Sequence, residues 1–271
     1  MLNRDYNSCT YFSRDENQCL LKIFNSRLFS SLNRIEADIA SLRCIPEHPN
    51  ICKMSLLDVN QDFIVLRYAI DSPSSLSTLV QIYKKLPLHV CISILAQILM
   101  AISIINRAGF CHSLLTPENI FINEGIVSVS DYAIAGNFLI PARAGDIYRR
   151  NAPFLSGTVL RGQDATMSSD AENAVNIFDY INSGVLSLNT SSGDIIEIIN
   201  LDLKPYGSSG TGQIHGILKW MPDSAKDAFS LLKGLLDTSI LYKPGINTGS
   251  GLFNNLVYTT RMLLLQNEFY H

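Results

Sequence analysis

The segment 106–136, NRAGFCHSLLTPENIFINEGIVSVSDYAIAG, contains the residues whose types and spacing could serve chemistry. Two short sequences within it carry the relevant side chains, His112–Asn119 and Asp131–Ala133. An imidazole can transfer a proton near neutral pH, and carboxylate and amide oxygens can hold a divalent cation. Proton transfer and cation binding are therefore the chemistries that these residue types allow.

A predicted β-hairpin separates the two sequences. Asp131 lies twelve positions after Asn119, and short apolar strands are predicted at 120–122 and 127–129. Asn123-Glu124-Gly125 is a hairpin signal. The amide and the carboxylate are thus predicted to flank one hairpin.

The rest of the chain changes character near residue 70. Before that point, strands are predicted at 19–24 and 63–66 and a short helix at 32–43. From Leu76 on, the periodicity is mainly helical, with helices predicted at 76–83, 88–107, 170–182, 224–237 and 252–266. This order predicts two lobes, 1–70 and 71–271, within one domain.

Taken in order, these motifs resemble those of eukaryotic-type protein kinases, which carry H-R-D-L-x-x-x-N followed by D-F-G. His112–Asn119 is similar to the first motif and Asp131-Tyr132-Ala133 to the second. Other similar sequences follow in family order: LLKI at 20–23, HPNI at 48–51, VLRY at 65–68, NAPF at 151–154, SD at 169–170 and LLKGLL at 231–236. SLSTLV at 75–80 is similar to the NIMA-related (NEK) group.

The resemblance covers about residues 15–257 and implies a fold. The fold is α+β, with a small β-rich N-lobe whose first strands are truncated or degenerate. A larger, mainly α-helical C-lobe follows. The resemblance also implies intracellular work on, or with, other proteins.

The resemblance assigns roles to individual residues. Lys22 is implied as the phosphate-pairing lysine, and Asn119 and Asp131 as Mg²⁺ ligands, so ATP with Mg²⁺ is the implied cofactor. The alternative is that these three residues are relics held by the structure. Glu36 and Asp38 are the candidate ion-pair partners of Lys22, while His112 and Asp170 are implied to be structural.

Two departures from the kinase pattern bear on catalysis. The catalytic aspartate position is occupied by Leu114, which can neither accept a proton nor orient a hydroxyl. The window that should hold the glycine-rich loop, 1–7, has no glycine, and the first glycine of the chain is Gly109. The sequence therefore predicts a pseudokinase that works as a binding, scaffold or allosteric module. A weak or atypical serine/threonine kinase is the alternative.

Composition narrows the class of protein. The chain has 271 residues, of which 47% are hydrophobic and 17% charged, and this excludes a mostly disordered chain. A net charge of -3 gives no reason to expect nucleic acid as a partner. Without a secretory signal or a C-x-x-C pair, the six cysteines are expected to be reduced thiols, and the protein is expected in the cytoplasm. The pseudokinase prediction implies a protein partner there.

One stretch imitates a membrane span. Residues 90–105 carry no charge, but sixteen helical residues reach only about 24 Å, short of a hydrocarbon core of about 30 Å. We expect a helix buried in the protein and no membrane contact. A membrane-inserted chain is the alternative that this stretch leaves open.

Overall fold

The computed structural model describes most of the chain. The residues described are 3–4, 8–13, 19–70, 74–134, 151–160, 163–184, 227–237 and 251–266. The glycine-free window at 1–7 lies largely outside them, so its expected failure to cover a phosphate stays a prediction.

The N-terminal part is a five-stranded antiparallel sheet in the order β1-β2-β3-β5-β4. Its strands are β1 (Asn3–Arg4), β2 (Ser8–Ser13), β3 (Cys19–Asn25), β4 (Met54–Val59) and β5 (Phe63–Ala69). The predicted strands at 19–24 and 63–66 are confirmed as β3 and β5. In the described residues β1 comprises two residues, so the expected degeneracy of the first strands stays a prediction.

One helix, α1 (Leu32–Ser41), accompanies this sheet. The Ser31 hydroxyl accepts a hydrogen bond from the Arg34 amide at 3.3 Å, which satisfies one of the free amides at the start of the helix. Ile35 is fully buried, whereas most of the other α1 side chains are exposed. Ile35 therefore fixes which face of α1 turns inward.

The C-terminal part is helical and contains a single hairpin in its described residues. Its elements are α2 (Leu76–Tyr83), α3 (Leu88–Arg107), β6 (Ile120–Asn123), β7 (Ile126–Val129), α4 (Gly157–Leu160), α5 (Met167–Ser183), α6 (Ala228–Asp237) and α7 (Gly251–Gln266). All the predicted helices of this part are present: those at 76–83 and 88–107 have the predicted ends, and the other three differ at one or both ends. The predicted boundary near residue 70 falls between β5 and α2, and it stays a prediction.

Helix α3 forms the centre of the C-terminal part. It packs against α5, α6, α7 and β7, and nearly all of its residues from Val90 to Asn106 are buried. At twenty residues it spans about 30 Å, so its length alone would suffice for a membrane, and within the described residues it is the one helix of which this is true. The helix is therefore longer than the sixteen residues on which the sequence argument relied. Its burial inside the protein, and not its length, supports the expected core helix.

The hairpin β6–β7 is fixed to α7 through its turn. Gly125 has φ +89°, a region that side chains rarely adopt. A Cβ atom there would lie 2.7 Å from the carbonyl carbon and oxygen of Asn255 and 2.8 Å from the Thr259 hydroxyl. Glycine at this position therefore allows the hairpin turn to lie directly on the backbone of α7.

Replacing Gly125 by alanine is expected to lower the free energy of unfolding by about 2–3 kcal/mol. The added methyl would clash with the α7 backbone, which cannot rotate away as a flexible side chain could. Urea denaturation measures this loss. Gly109→Ala is the matched control, because Gly109 has the same φ of +89° but an added Cβ would meet no atom within 4 Å. The control should lose about 1 kcal/mol from strain alone. Equal losses in the two variants would show that the contact with α7 contributes nothing.

Candidate functional site

Three elements bring Lys22, Asn119 and Asp131 together. Lys22 is on β3, Asn119 ends the short 3₁₀ turn Pro117–Asn119, and Asp131 follows β7. The Lys22 ammonium donates to the Asn119 Oδ1 atom at 3.0 Å and forms an ion pair with the Asp131 carboxylate. The three residues are 6%, 6% and 8% exposed, so the ion pair is buried. The hairpin does place the amide and the carboxylate side by side.

Apolar side chains enclose the Lys22 ammonium. The ring of Tyr68 on β5 has its centroid 5.7 Å from Nζ, and the ring of Phe121 on β6 has its centroid 5.9 Å from the same atom. Leu20 lies two positions before Lys22 on the same face of β3 and is paired with Tyr68 in the strand register. Leu20, Tyr68 and Phe121 are all buried. The Lys22 side chain therefore passes between the ring of Tyr68 on the sheet and the ring of Phe121 on the hairpin to reach its partners.

Two polar atoms beside the ion pair lack partners. The Tyr68 hydroxyl and the Asp131 Oδ1 atom are buried without a hydrogen-bond partner in the described structure. Burial, together with the nearby Asp131 carboxylate, holds the pKa of Tyr68 well above its usual value. Tyr68 is therefore a neutral phenol, and Asp131 Oδ1 is the one carboxylate oxygen here that remains free to accept.

Leu114 belongs to the hydrophobic cluster that joins the two lobes. It is 9% exposed and clusters with Leu20, Leu66 and Tyr68 from the sheet and with Phe121 from the hairpin. Its backbone is held from both sides, because its amide lies 3.4 Å from His112 Nδ1 and its carbonyl accepts from the Asn119 side-chain amide at 3.0 Å. The loop thus keeps an ordered backbone around an apolar side chain.

Asp170 on α5 fixes the other end of the same loop. Its carboxylate accepts hydrogen bonds from the His112 amide at 2.7 Å, the Ser113 amide at 3.0 Å and the Asn106 side chain at 3.1 Å. Ser113 has φ +72°, so this carboxylate holds a strained turn. Burial raises the pKa of Asp170 to about 6 despite the three hydrogen bonds, which act in the opposite direction. Asp170 acts here on backbone and a side-chain amide.

His112 is fully buried at the start of the loop. Its Nε2 atom lies 2.8 Å from the Ser130 carbonyl oxygen, which makes Nε2 the protonated nitrogen and Nδ1 the acceptor for Leu114. Burial lowers the pKa of His112 to about 4. The imidazole is therefore neutral at physiological pH and links the loop to the end of the hairpin.

The His112 pKa predicts a pH dependence of stability. An unfolded imidazole titrates near 6.5, so the stability that neutral His112 contributes is fully present above pH 6.5 and is lost as the pH falls towards 4. The raised pKa of Asp170 acts in the opposite direction over the same range. We expect the stability advantage of the wild type over His112→Gln to shrink by about 3 kcal/mol between pH 6.5 and 4.

Urea denaturation of both proteins at several pH values measures this difference. The Asp170 contribution is common to both proteins and cancels in the comparison. A wild-type advantage that stays constant between pH 4 and 6.5 would show that His112 is not held neutral by the fold.

The expected ion pair between Lys22 and an acid on α1 is not what the structure shows. Lys22 pairs with Asp131, while Asp38 pairs with Arg34 at 3.6 Å on α1 itself. Glu36 is exposed and lines a cleft that α1 shares with β4 and the hairpin. The Lys22 ammonium instead reaches Asp131 on the loop after β7, and the Asp38 carboxylate is held by Arg34 one turn earlier on α1.

Sequence reasoning missed the cleft beside α1. Its volume is about 1050 Å³, and α1, the segment 42–49, β4 and the hairpin line it. Lys22, Asn119 and Asp131 do not line it. The cleft has apolar walls, such as Ile39 and Met54, and a mixed-charge rim. His48, Pro49 and Ile51 of the HPNI sequence line it, but that likeness gave no reason to expect a cavity.

The donor set for a metal ion is small. Among the described residues, no group of three or more histidine, cysteine, aspartate or glutamate side chains could hold one. All six cysteines are free thiols. A divalent cation at Asp131 would therefore find one carboxylate and one amide, both already bonded to an ammonium.

Comparisons with known proteins give a fold. No protein-family model matches the chain, and a search of curated proteins finds no match. Among 1966 matching chains of solved structures is the crystal structure of the protein kinase Rad53 1-466 in complex with AMP-PNP. It shares 18% sequence identity with this chain at a TM-score of 0.59, over 79% of this chain and 57% of the Rad53 chain. The chain thus has a two-lobed, α+β, protein-kinase-like fold.

Proposed function

We propose that this chain is a pseudokinase, a catalytically impaired protein of kinase fold that acts as a binding, scaffold or allosteric module. The observation that carries the proposal is Leu114. At the position of the catalytic aspartate, its side chain is buried in the cluster that joins the lobes. A positioned general base is worth about 10²–10⁴-fold in rate, and no carboxylate replaces it at the flanking Ser113 or Leu115.

The retained backbone supports a role that depends on shape. Asp170, His112 and Asn119 together hold the loop in an ordered conformation. A fold that preserves these contacts around a leucine keeps its surface while losing the proton acceptor. The proposed partner is a protein in the cytoplasm, and the six free thiols and the net charge of -3 agree with that compartment and with a partner other than nucleic acid.

Membership of the NIMA-related group is a finer part of the proposal. Its support is SLSTLV at 75–80, where Ser75 caps α2 by accepting from the Thr78 amide at 3.2 Å. Helix capping by itself explains a serine at position 75, so this contact does not favour the NIMA-related group. The group assignment depends on the sequence likeness alone.

A phosphotransfer assay on the purified protein tests the main proposal. The protein is incubated with labelled ATP, Mg²⁺ and general protein substrates, with Asp131→Ala as the matched control. We expect incorporation in the wild type to equal that in Asp131→Ala. Turnover that disappears in Asp131→Ala would overturn the proposal.

A slow serine/threonine kinase is the second candidate function. The observation in its favour is the convergence of Lys22, Asn119 and Asp131, together with the free Oδ1 atom of Asp131. Such an enzyme would need an acid from elsewhere to orient the substrate hydroxyl. The same assay separates the two candidates, because only the second predicts turnover above the Asp131→Ala control.

A further inference from the structure

The Lys22 ammonium occupies the oxygens that the kinase resemblance implies for a metal ion. It bonds to Asn119 Oδ1 and to Asp131 Oδ2, the two side chains implied as Mg²⁺ ligands. We propose that Lys22 is the resident cation of this site, that it fastens β3 to the loop after β7, and that the site therefore takes up neither Mg²⁺ nor nucleotide. The inference rests on the proposed pseudokinase function and deepens it.

Charge is the first argument. The ammonium and the Asp131 carboxylate neutralise each other in a buried place, and the described residues offer no further acid to Lys22. A divalent cation would bring two more positive charges next to a buried ammonium, with only Asp131 Oδ1 free to receive it. Mg²⁺ demands about six oxygens in near-octahedral geometry, so one free carboxylate oxygen is a poor site.

Space is the second argument. The rings of Tyr68 and Phe121 approach the same ammonium, one from the sheet and one from the hairpin. Leu20 and Leu114 complete this contact between the lobes, and all four side chains are buried. A nucleotide base could enter between sheet and hairpin only by displacing this packed cluster.

Chain connectivity is the third argument. Lys22 is 109 positions before Asp131 in the sequence, so their ion pair crosses from the sheet to the loop after β7. The pairing of Lys22 with Asp131 instead of an acid on α1 leaves the position of α1 independent of Lys22. The chain's own residues thus connect the sheet to the loop after β7.

Ligand binding tests the exclusion directly. Isothermal titration and thermal unfolding are measured with Mg²⁺ alone, ATP alone and ATP with Mg²⁺, each up to millimolar concentration. We expect no saturable heat and no change in Tm with any of the three. A saturable rise in Tm that is lost in Asp131→Asn would overturn the inference.

A double-mutant cycle tests the resident cation. Lys22→Met and Asp131→Asn should each lower Tm strongly, because each leaves a buried charge without its partner, and the double variant should recover part of the loss. If a single variant fails to fold, a double variant that folds supports the pair. A double variant no better than the worse single variant would overturn it.

The exposed ion pair between Lys53 and Glu47 provides the matched control. Its side chains are 74% and 82% exposed, so Lys53→Met and Glu47→Gln should change Tm little and additively. Coupling as large in this pair as in the buried pair would show that burial is not the cause.

The inference and the proposed function fail in different ways. A protein that binds ATP with Mg²⁺ but transfers no phosphate overturns the inference and leaves the pseudokinase intact. A protein that transfers phosphate overturns the proposed function itself.

Discussion

Asp170→Ala is expected to lower the free energy of unfolding by about 3–5 kcal/mol. The alanine would leave three buried donors without an acceptor: the amides of His112 and Ser113 and the side chain of Asn106. An unsatisfied buried donor costs about 1–3 kcal/mol, and relaxation of the loop recovers part of the sum. Because Ser113 is held at φ +72°, the turn should lose its strained conformation first. Urea denaturation at pH 7 measures the loss.

Glu172→Ala is the control for this prediction. Glu172 is an exposed carboxylate on the same helix and accepts one backbone hydrogen bond, from Gly157 at 3.1 Å. Its removal should cost less than about 1 kcal/mol, since water can replace the carboxylate. Similar losses in the two variants would mean that Asp170 does not hold the loop, and hydrogen exchange of the Ser113 amide would then be unchanged as well.

The parts of the fold that the sequence predicted are those with a strong local signal. Strand β3 is a short apolar run between polar residues, and α3 is a long stretch with no charge between its ends. Strands β2 and β4 were missed because polar residues interrupt them and because a register shift between Leu56 and Asp58 breaks the alternation of β4. Such strands form through their neighbours in the sheet, which a single sequence does not show.

The candidate site was predictable in its residue types but not in its contacts. The motifs and their spacing singled out Lys22, Asn119 and Asp131, and the hairpin does bring the last two together. The pairing partner of Lys22 depends on which side chains its ammonium reaches in the folded chain, and it reaches Asn119 and Asp131 rather than an acid on α1. That contact joins residues about a hundred positions apart, and no local pattern predicts it.

The enclosing side chains carried a usable signal. Ile64, Leu66 and Tyr68 alternate along β5, and Leu20 and Lys22 alternate along β3, so each set shares one face. The sequence did not predict the register that pairs Leu20 with Tyr68. Alternation shows which side chains share a face of the sheet, but not which residues of two strands lie opposite each other. With that register, an aromatic ring next to the lysine follows.

Leu114→Asp is expected to lower the free energy of unfolding by about 3–5 kcal/mol and to restore no phosphotransfer. Leu114 is 9% exposed among apolar side chains, and the ammonium of Lys22 is already paired with Asp131. The new carboxylate would therefore be buried without a counter-charge. Urea denaturation measures the stability, and the labelled-ATP assay measures the activity of the same preparation.

Leu114→Met separates the loss of leucine from the burial of charge. It keeps the volume and the apolar character, so it should cost less than about 1.5 kcal/mol. The free energy of unfolding of Leu114→Asp should approach that of Leu114→Met at acid pH. Burial raises the pKa of a carboxyl group, so at low pH the aspartate is protonated and is buried without charge. A stable Leu114→Asp protein that gains turnover would mean that one missing carboxylate is all that separates this chain from a working kinase. A destabilised and inactive variant would mean that the loss of activity is due to the whole cluster and not to one residue. The reason is that Leu20, Tyr68, Leu114 and Phe121 together fill the contact between the lobes.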